Sequence, residues 1–209
     1  WVLLRGKCAS CGTRISVRYA VIELTTAVIL VSLWREFGPT PAFAISAAFL
    51  LALLVLFFTD LDHKLLPDLV TLPGFLVGVA VAWLNPFLRA DGSGKRLWAA
   101  LAGAALGAGL LWGVGALYSR LRGIEAMGMG DVKMMAMVGA FTGPMGVLVT
   151  LFGASITGAA IGVALIPLRG GSMKDTLPFG CFLAPAAAIA MLWGRDLVGL
   201  YVRWVMPGV

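Results

Sequence analysis

The sequence predicts an all-α integral membrane protein, a polytopic bundle of about seven transmembrane helices, some of them short or broken. Three observations carry this reading. Of 209 residues, 60% are hydrophobic and 12% charged, whereas a soluble domain carries about 25% charged residues, so too little charge remains to cover a water-facing surface. Mean hydropathy is +0.97. The apolar residues also fall into separate runs, several near the ~20 residues that a spanning helix needs.

The runs follow one another along the chain. The first is Tyr19 to Leu33 and carries Glu23, which is expected either to be buried with a partner or to lie near the interface. The second, Ala42 to Thr59, ends directly on Asp60. The third is Leu69 to Trp83, with Pro73 and Gly74 expected to bend it. The fourth, Leu97 to Tyr118, is dense in Ala and Gly. A short fifth, Val132 to Phe141, follows a Gly-rich turn. The sixth is Met145 to Ile166, and the seventh is Phe179 to Trp193 with an amphipathic tail to Val205. Small residues at Gly103, Gly107, Gly109, Gly113 and Gly115, and again at Gly153, Gly158 and Gly162, read as helix contacts, because close packing drives association in lipid.

The net charge is +6, but the basic residues form no continuous stripe, so nucleic acid is not an expected partner; the lipid bilayer is. Alternating the runs across a membrane places ten basic residues, among them Arg5, Lys64, Arg122 and Lys133, on one side. Six, among them Arg35, Arg89 and Arg195, fall on the other. The richer side is expected to be cytoplasmic, together with the loops that begin at Asp60, Arg120 and Pro167. The chain begins at Trp1 without a signal-peptide pattern, and it is expected to be part of a longer protein.

Four carboxylates stand at this edge. Asp60, Asp62 and Asp68 lie in TDLDHKLLPD, and Asp131 lies in GMGDVKMM. Charge near hydrocarbon is costly and is retained for function or pairing. Gly128 and Gly130 let the backbone take unusual conformations, so that a substrate strand can approach Asp131. The plain alternative is that Asp131 caps a helix. Two aspartates that meet from different helices can share a proton. One then takes a proton from water while the other donates to a carbonyl oxygen.

These residues resemble those of the bacterial prepilin peptidases, the type IV leader peptidases. The similar features are Asp60-Leu-Asp-His-Lys-Leu-Leu-Pro-Asp68 followed by LVTLPG, and Gly128-Met-Gly130-Asp131-Val-Lys133. LPFG at Leu177 to Gly180 and the stretch from Arg5 to Glu23 that contains Cys8 and Cys11 complete the set. The resemblance implies a GxGD-type membrane aspartic endopeptidase that removes the short basic leader from type IV prepilins and type II secretion pseudopilins. It implies a multi-pass protein of the bacterial inner membrane whose active site faces the cytoplasm. It places the catalytic pair at Asp60 and Asp131, with Asp62 the main competitor and Asp68 a weaker one suited to a turn or cap. Gly128, Gly130, Asp62, Asp68 and Lys133 are supporting residues. Lys133 is expected either to bias Asp131 through space or to reach lipid headgroups. Asp62, Asp68 or Glu125 would attract the basic leader.

The resemblance also divides the chain into residues 1–18, the remainder of a cytoplasmic CxxC domain, and residues 19–209, the transmembrane aspartic peptidase domain. Many members also methylate the new N-terminus with S-adenosylmethionine and carry two CxxC pairs. Here there is one pair, Cys8 and Cys11. A structural zinc takes four ligands, so these two are half of a site and no stable zinc is expected in this chain. The peptidase activity calls for no cofactor; zinc and S-adenosylmethionine belong to the full-length protein.

His63 reads as a loop residue, Cys181 as a small apolar packing residue, and Trp83, Trp98, Trp112 and Trp193 as interfacial or packing residues. Two other classes compete. A transporter would use intramembrane acids and broken helices, but no repeat is visible and the acids gather at one edge. An intramembrane serine protease would use Ser155 in Gly153-Ala154-Ser155, with His63 as its base. A zinc metalloprotease would need HExxH, which is missing.

Overall fold

The computed structural model describes residues 1, 3–88, 92–123, 128–168 and 178–205. Six helices follow one another: α1 (Val17–Phe37), α2 (Pro41–His63), α3 (Asp68–Ala80), α4 (Ser93–Arg122), α5 (Met129–Leu168) and α6 (Gly180–Val205). All but α3 are long and apolar enough to cross a membrane. At 13 residues, α3 reaches only about 20 Å, short of a ~30 Å hydrocarbon core. The described chain thus agrees with a polytopic helical membrane protein. Its exposed surface is rich in large apolar side chains, including the four expected tryptophans Trp83, Trp98, Trp112 and Trp193.

The chain forms two compact units, Trp1–Leu51 and Ala52–Val209. In the first, a short turn carries Cys8 and Cys11. Lys7 pairs with Arg14 as an isolated antiparallel bridge, and the Cys8 amide donates to the Thr13 carbonyl at 2.9 Å. Ser16 caps α1, its hydroxyl accepting from the Arg18 amide at 3.3 Å. Glu23 is exposed on α1. The helix closes at Gly38 (φ 56), whose N–H donates to Trp34.

In the second unit, α5 is central. Its first limb carries the buried residues Met134, Met135, Met137 and Val138. On one side it meets α3, where a Cβ on Gly74 would run into Met137 and one on Gly78 would lie 2.9 Å from Ala140 and Phe141. On the other side it meets α4, where Gly103 is packed backbone to backbone against Gly139, and Gly107 faces the Met135 carbonyl. Of the glycines expected to make helix contacts, Gly103 and Gly107 do so, but Gly109 and Gly113 have nothing within 4 Å. Gly74 acts as a contact residue and not only as a bend: α3 stays helical through Pro73 and Gly74.

The expected fifth and sixth segments form one element, α5, with a break at Gly143 (φ 70, ψ −177). Pro144 disfavours helical geometry in the residue before it, and glycine accepts the positive φ that results. Asn85, fully buried, donates its side-chain amide to the Phe141 carbonyl at 2.9 Å beside this break. Its Oδ1 accepts from the Phe87 amide. Beyond the break, the second limb packs on α6, with Gly153 at Ala186 and Gly158 at Phe182. The expected tail to Val205 is part of α6, a single helix from Gly180.

Candidate active site

Asp60 does not end its helix. α2 continues to His63, so Asp60, Asp62 and His63 are helical, and His63 is not in a loop as expected. The helix stops at Lys64, which adopts φ 51 and donates its N–H to the Asp60 carbonyl at 2.8 Å. Leu65, Leu66 and Pro67 then run non-helically to α3. Asp60 is 5% exposed, Asp131 half-buried and Asp62 exposed.

Two glycines bring the chain together here, and both touch Leu66. At the start of α5, a Cβ on Gly130 would lie 3.0 Å from Leu66 Cβ. At the start of α6, a Cβ on Gly180 would lie 3.2 Å from Leu66 Cδ1 and 2.7 Å from Asp60 Oδ2. The lack of a side chain at these positions lets the first turns of α5 and α6 close on the end of α2. Asp131 stands in the first turn of α5, and its amide donates to Gly128 at 3.1 Å. Its carboxyl lies within electrostatic reach of Asp60.

Asp60 is held directly by the start of α6. The Cys181 amide donates to Asp60 Oδ2 at 2.9 Å, at a helix end where free N–H groups and the macrodipole favour an anion. Cys181 is buried, as a packing residue should be, and its Sγ contacts the Phe57 carbonyl at 3.5 Å. Its backbone role is one that its side chain could not reveal. The LPFG stretch contained the signal, since its glycine is the residue that meets Asp60; Leu177 lies outside the described residues.

Asp68 and Lys133 have different partners from those expected. Pro67 is the N-cap of α3, with no side-chain cap bond. Asp68 instead binds Lys133 through both oxygens, at 2.8 and 2.6 Å. This pair ties the first turn of α3 to the start of α5. It gives Lys133 a carboxylate partner on α3 and leaves Asp68 about half exposed. Glu125 lies outside the described residues. Ser155 is exposed on α5 and His63 is exposed at the end of α2; among the described residues, the hydrogen bonds of Asp60 and Asp131 include neither.

Cys8 and Cys11 supply two thiols on one turn, with Sγ atoms near Ser10 Oγ and Thr13 Oγ1 at 3.3 and 3.2 Å. The Ser10 hydroxyl, with the amides of Cys11 and Ser10, lowers the Cys8 thiol from 9.0 to about 6. Among the described residues no group of three or more His, Cys, Asp or Glu is placed to hold a metal. The two thiols would supply half of a four-ligand zinc set.

Five helices long and apolar enough to cross a membrane, with Asp60 near the end of α2 and Asp131 in the first turn of α5, define the class as a polytopic helical membrane protein with carboxylates at its helix ends. Residues 47–163 match the Type IV leader peptidase family, and residues 1–37 match the Bacterial Peptidase A24 N-terminal domain. The chain belongs to the type IV leader peptidase family. A prepilin leader peptidase/N-methyltransferase of Pseudomonas putida is 37% identical over 198 residues, covering 94% of this chain and 66% of the relative. One of Xanthomonas campestris pv. campestris is 38% identical over 207 residues, 98% of this chain and 69% of the relative. One of Aeromonas hydrophila is 37% identical over 204 residues, 97% and 67%. The chain thus spans about two thirds of the length of these relatives. No solved structure matches it.

Proposed function

We propose that this chain is the peptidase part of a prepilin leader peptidase, an endopeptidase that cleaves the basic leader from type IV prepilins and type II secretion pseudopilins. Asp60 and Asp131 are its catalytic pair. The observation that supports this is the closing of the first turns of α5 and α6 on Leu66, just past the end of α2 that carries Asp60, with Asp131 in that first turn of α5. Asp60 receives an amide and a helix N-terminus, so it is assigned the carboxylate that takes a proton from water. Asp131 is assigned the acid that donates to the scissile carbonyl oxygen. Attack of the water oxygen breaks the carbonyl π bond, and collapse expels the amine as the new N-terminus. Gly128 and Gly130 leave room for the substrate strand.

The site lies at the cytoplasmic edge of the inner membrane, on the side richer in Lys and Arg. Residues 1–18 belong with the cytoplasmic CxxC region and residues 19–209 with the transmembrane peptidase domain. The relatives are also named N-methyltransferases; methylation with S-adenosylmethionine is assigned to the full-length protein, and no step of it to the residues described here.

The test is leader release from a precursor by the reconstituted chain beside its full-length form, read by mass spectrometry. Ser155→Ala is expected to cleave like the wild type. Loss of cleavage in Ser155→Ala with retention in Asp60→Asn would move the chemistry to a serine mechanism.

A further inference from the structure

An apolar groove of about 540 Å³ lies against α2, α5 and α6. On α5 it is lined by Val149, Gly153, Thr157 and Ile161, spaced four apart and so on one helix face. That face is about 18 Å long at ~1.5 Å per residue. On α6 it is lined by Cys181, Pro185 and Ile189, again spaced four apart. The two helices run antiparallel here, since Gly158 meets Phe182 while Gly153 meets Ala186. Ile161 and Cys181 therefore mark one end, and Val149 and Ile189 the other. Phe57 and Leu61 of α2 also line it; they stand three residues before and one after Asp60. Cys181, at the same end, gives its amide to Asp60.

The lining contains no charged residue. The Thr157 hydroxyl is bound to the Gly153 carbonyl at 2.7 Å, and the Cys181 thiol contacts Phe57, so both are occupied within the wall. A polypeptide lying here among spanning helices has to satisfy its own backbone groups, which requires a helix. Gly153 and Thr157, small and one turn apart, let a helix backbone come close. The groove runs along two spanning helices, and at one end its wall includes Phe57, Leu61 and Cys181, the last bonded to Asp60.

We propose that this groove binds the apolar helical segment of the substrate that continues from the scissile bond into the bilayer. The proposal rests on the peptidase reading and adds to it the surface that holds the substrate in register. An acyl chain would fit the same lining, but the junction with Asp60 is what a polypeptide cleaved there requires.

A photoactivatable phenylalanine analogue at Ile189 (45% exposed), or at Trp98 on α4 (73% exposed) as control, is placed in the full chain carrying Asp131→Asn. The chain is reconstituted with a precursor whose cleavage site is followed by about twenty Leu and Ala residues. Position 189 is expected to form an adduct with the apolar segment, and position 98 is not. Adducts with phospholipid alone at 189, or equal substrate adducts at both positions, would overturn the proposal. Thr157→Trp, which fills the groove from an exposed position, is expected to raise KM about tenfold with kcat within about twofold; an unchanged KM would also overturn it. Wild-type cleavage is measured in the same membranes. Cleavage without a position-189 adduct removes the groove and leaves the peptidase, whereas no cleavage removes both.

Discussion

The amide of Cys181 donates to Asp60 Oδ2 at 2.9 Å, across 121 positions of sequence. This single bond fixes the carboxyl at the end of α2 to the first turn of α6. A hydrogen bond to a charged group is worth about 1.5–3 kcal/mol, so its loss in the reaction is expected to lower cleavage roughly ten- to hundredfold. Two substitutions test it. Cys181→Pro removes the donor, and Gly180→Ala places a methyl 2.7 Å from Asp60 Oδ2. Both are expected to reduce kcat by that factor in protein that still elutes as wild type. Cys181→Ala keeps the amide and is expected to lose less than about threefold. Equal losses in Cys181→Ala and Cys181→Pro would assign the effect to the side chain.

The Lys133–Asp68 pair is half-exposed, at 33% and 53%, and such pairs contribute about 0.2–1 kcal/mol to stability. Its value lies in the alignment of α3 with α5. Lys133→Ala and Asp68→Asn are each expected to lower kcat about three- to tenfold, with a smaller effect in combination than their product. The exchanged pair Lys133→Asp/Asp68→Lys recovers part of the loss. Strictly multiplicative effects in this double-mutant cycle would show that the two residues act separately.

Gly139 and Gly103 pack backbone against backbone, while Gly109 on the same helix as Gly103 has open space. Gly139→Ala is expected to destabilise the protein by about 1–3 kcal/mol through overpacking. Gly109→Ala is expected to be neutral or to stabilise by up to ~1 kcal/mol, because alanine is the better helix former. Thermal unfolding in detergent separates the two outcomes; equal shifts would show that α4 and α5 are not so closely packed.

Cys8 has its thiol lowered to about 6, chiefly by the Ser10 hydroxyl. A lowered thiol is mostly thiolate above that pH, and the thiolate is the nucleophile. Alkylation of Cys8 is therefore expected to rise through pH 6 and level off by about pH 7, with the midpoint moving upward in Ser10→Ala. A midpoint near 9 in the unsubstituted chain would contradict the turn geometry.

Much of this was legible in the chain. Hydropathy located the helices, and Gly143-Pro144 falls between two expected segments because that dipeptide cannot continue a regular helix. The motifs around Asp60 and Asp131 supplied the two acids to which the proposed function assigns the cleavage. What escaped was contact across long sequence separation. Lys133 and Asp68 are 65 positions apart, and nothing in either local pattern announces the other. Gly180 read as one letter of a motif, with no sign that its missing side chain admits Asp60. The end of α2 was also misplaced. A polar DLDH stretch reads as loop, whereas all four of its residues stay helical until Lys64 turns the chain.

The central claim is that Asp60 and Asp131 perform the cleavage together. It is tested most directly by the rate of leader release from a precursor by wild type, Asp60→Asn and Asp131→Asn in the same membranes, each verified as folded. General acid–base groups contribute about 10²–10⁴-fold, so each variant is expected to fall by at least ~10²-fold while Asp62→Asn stays within about tenfold of wild type. Wild-type rates in a folded Asp60→Asn or Asp131→Asn variant would contradict the account.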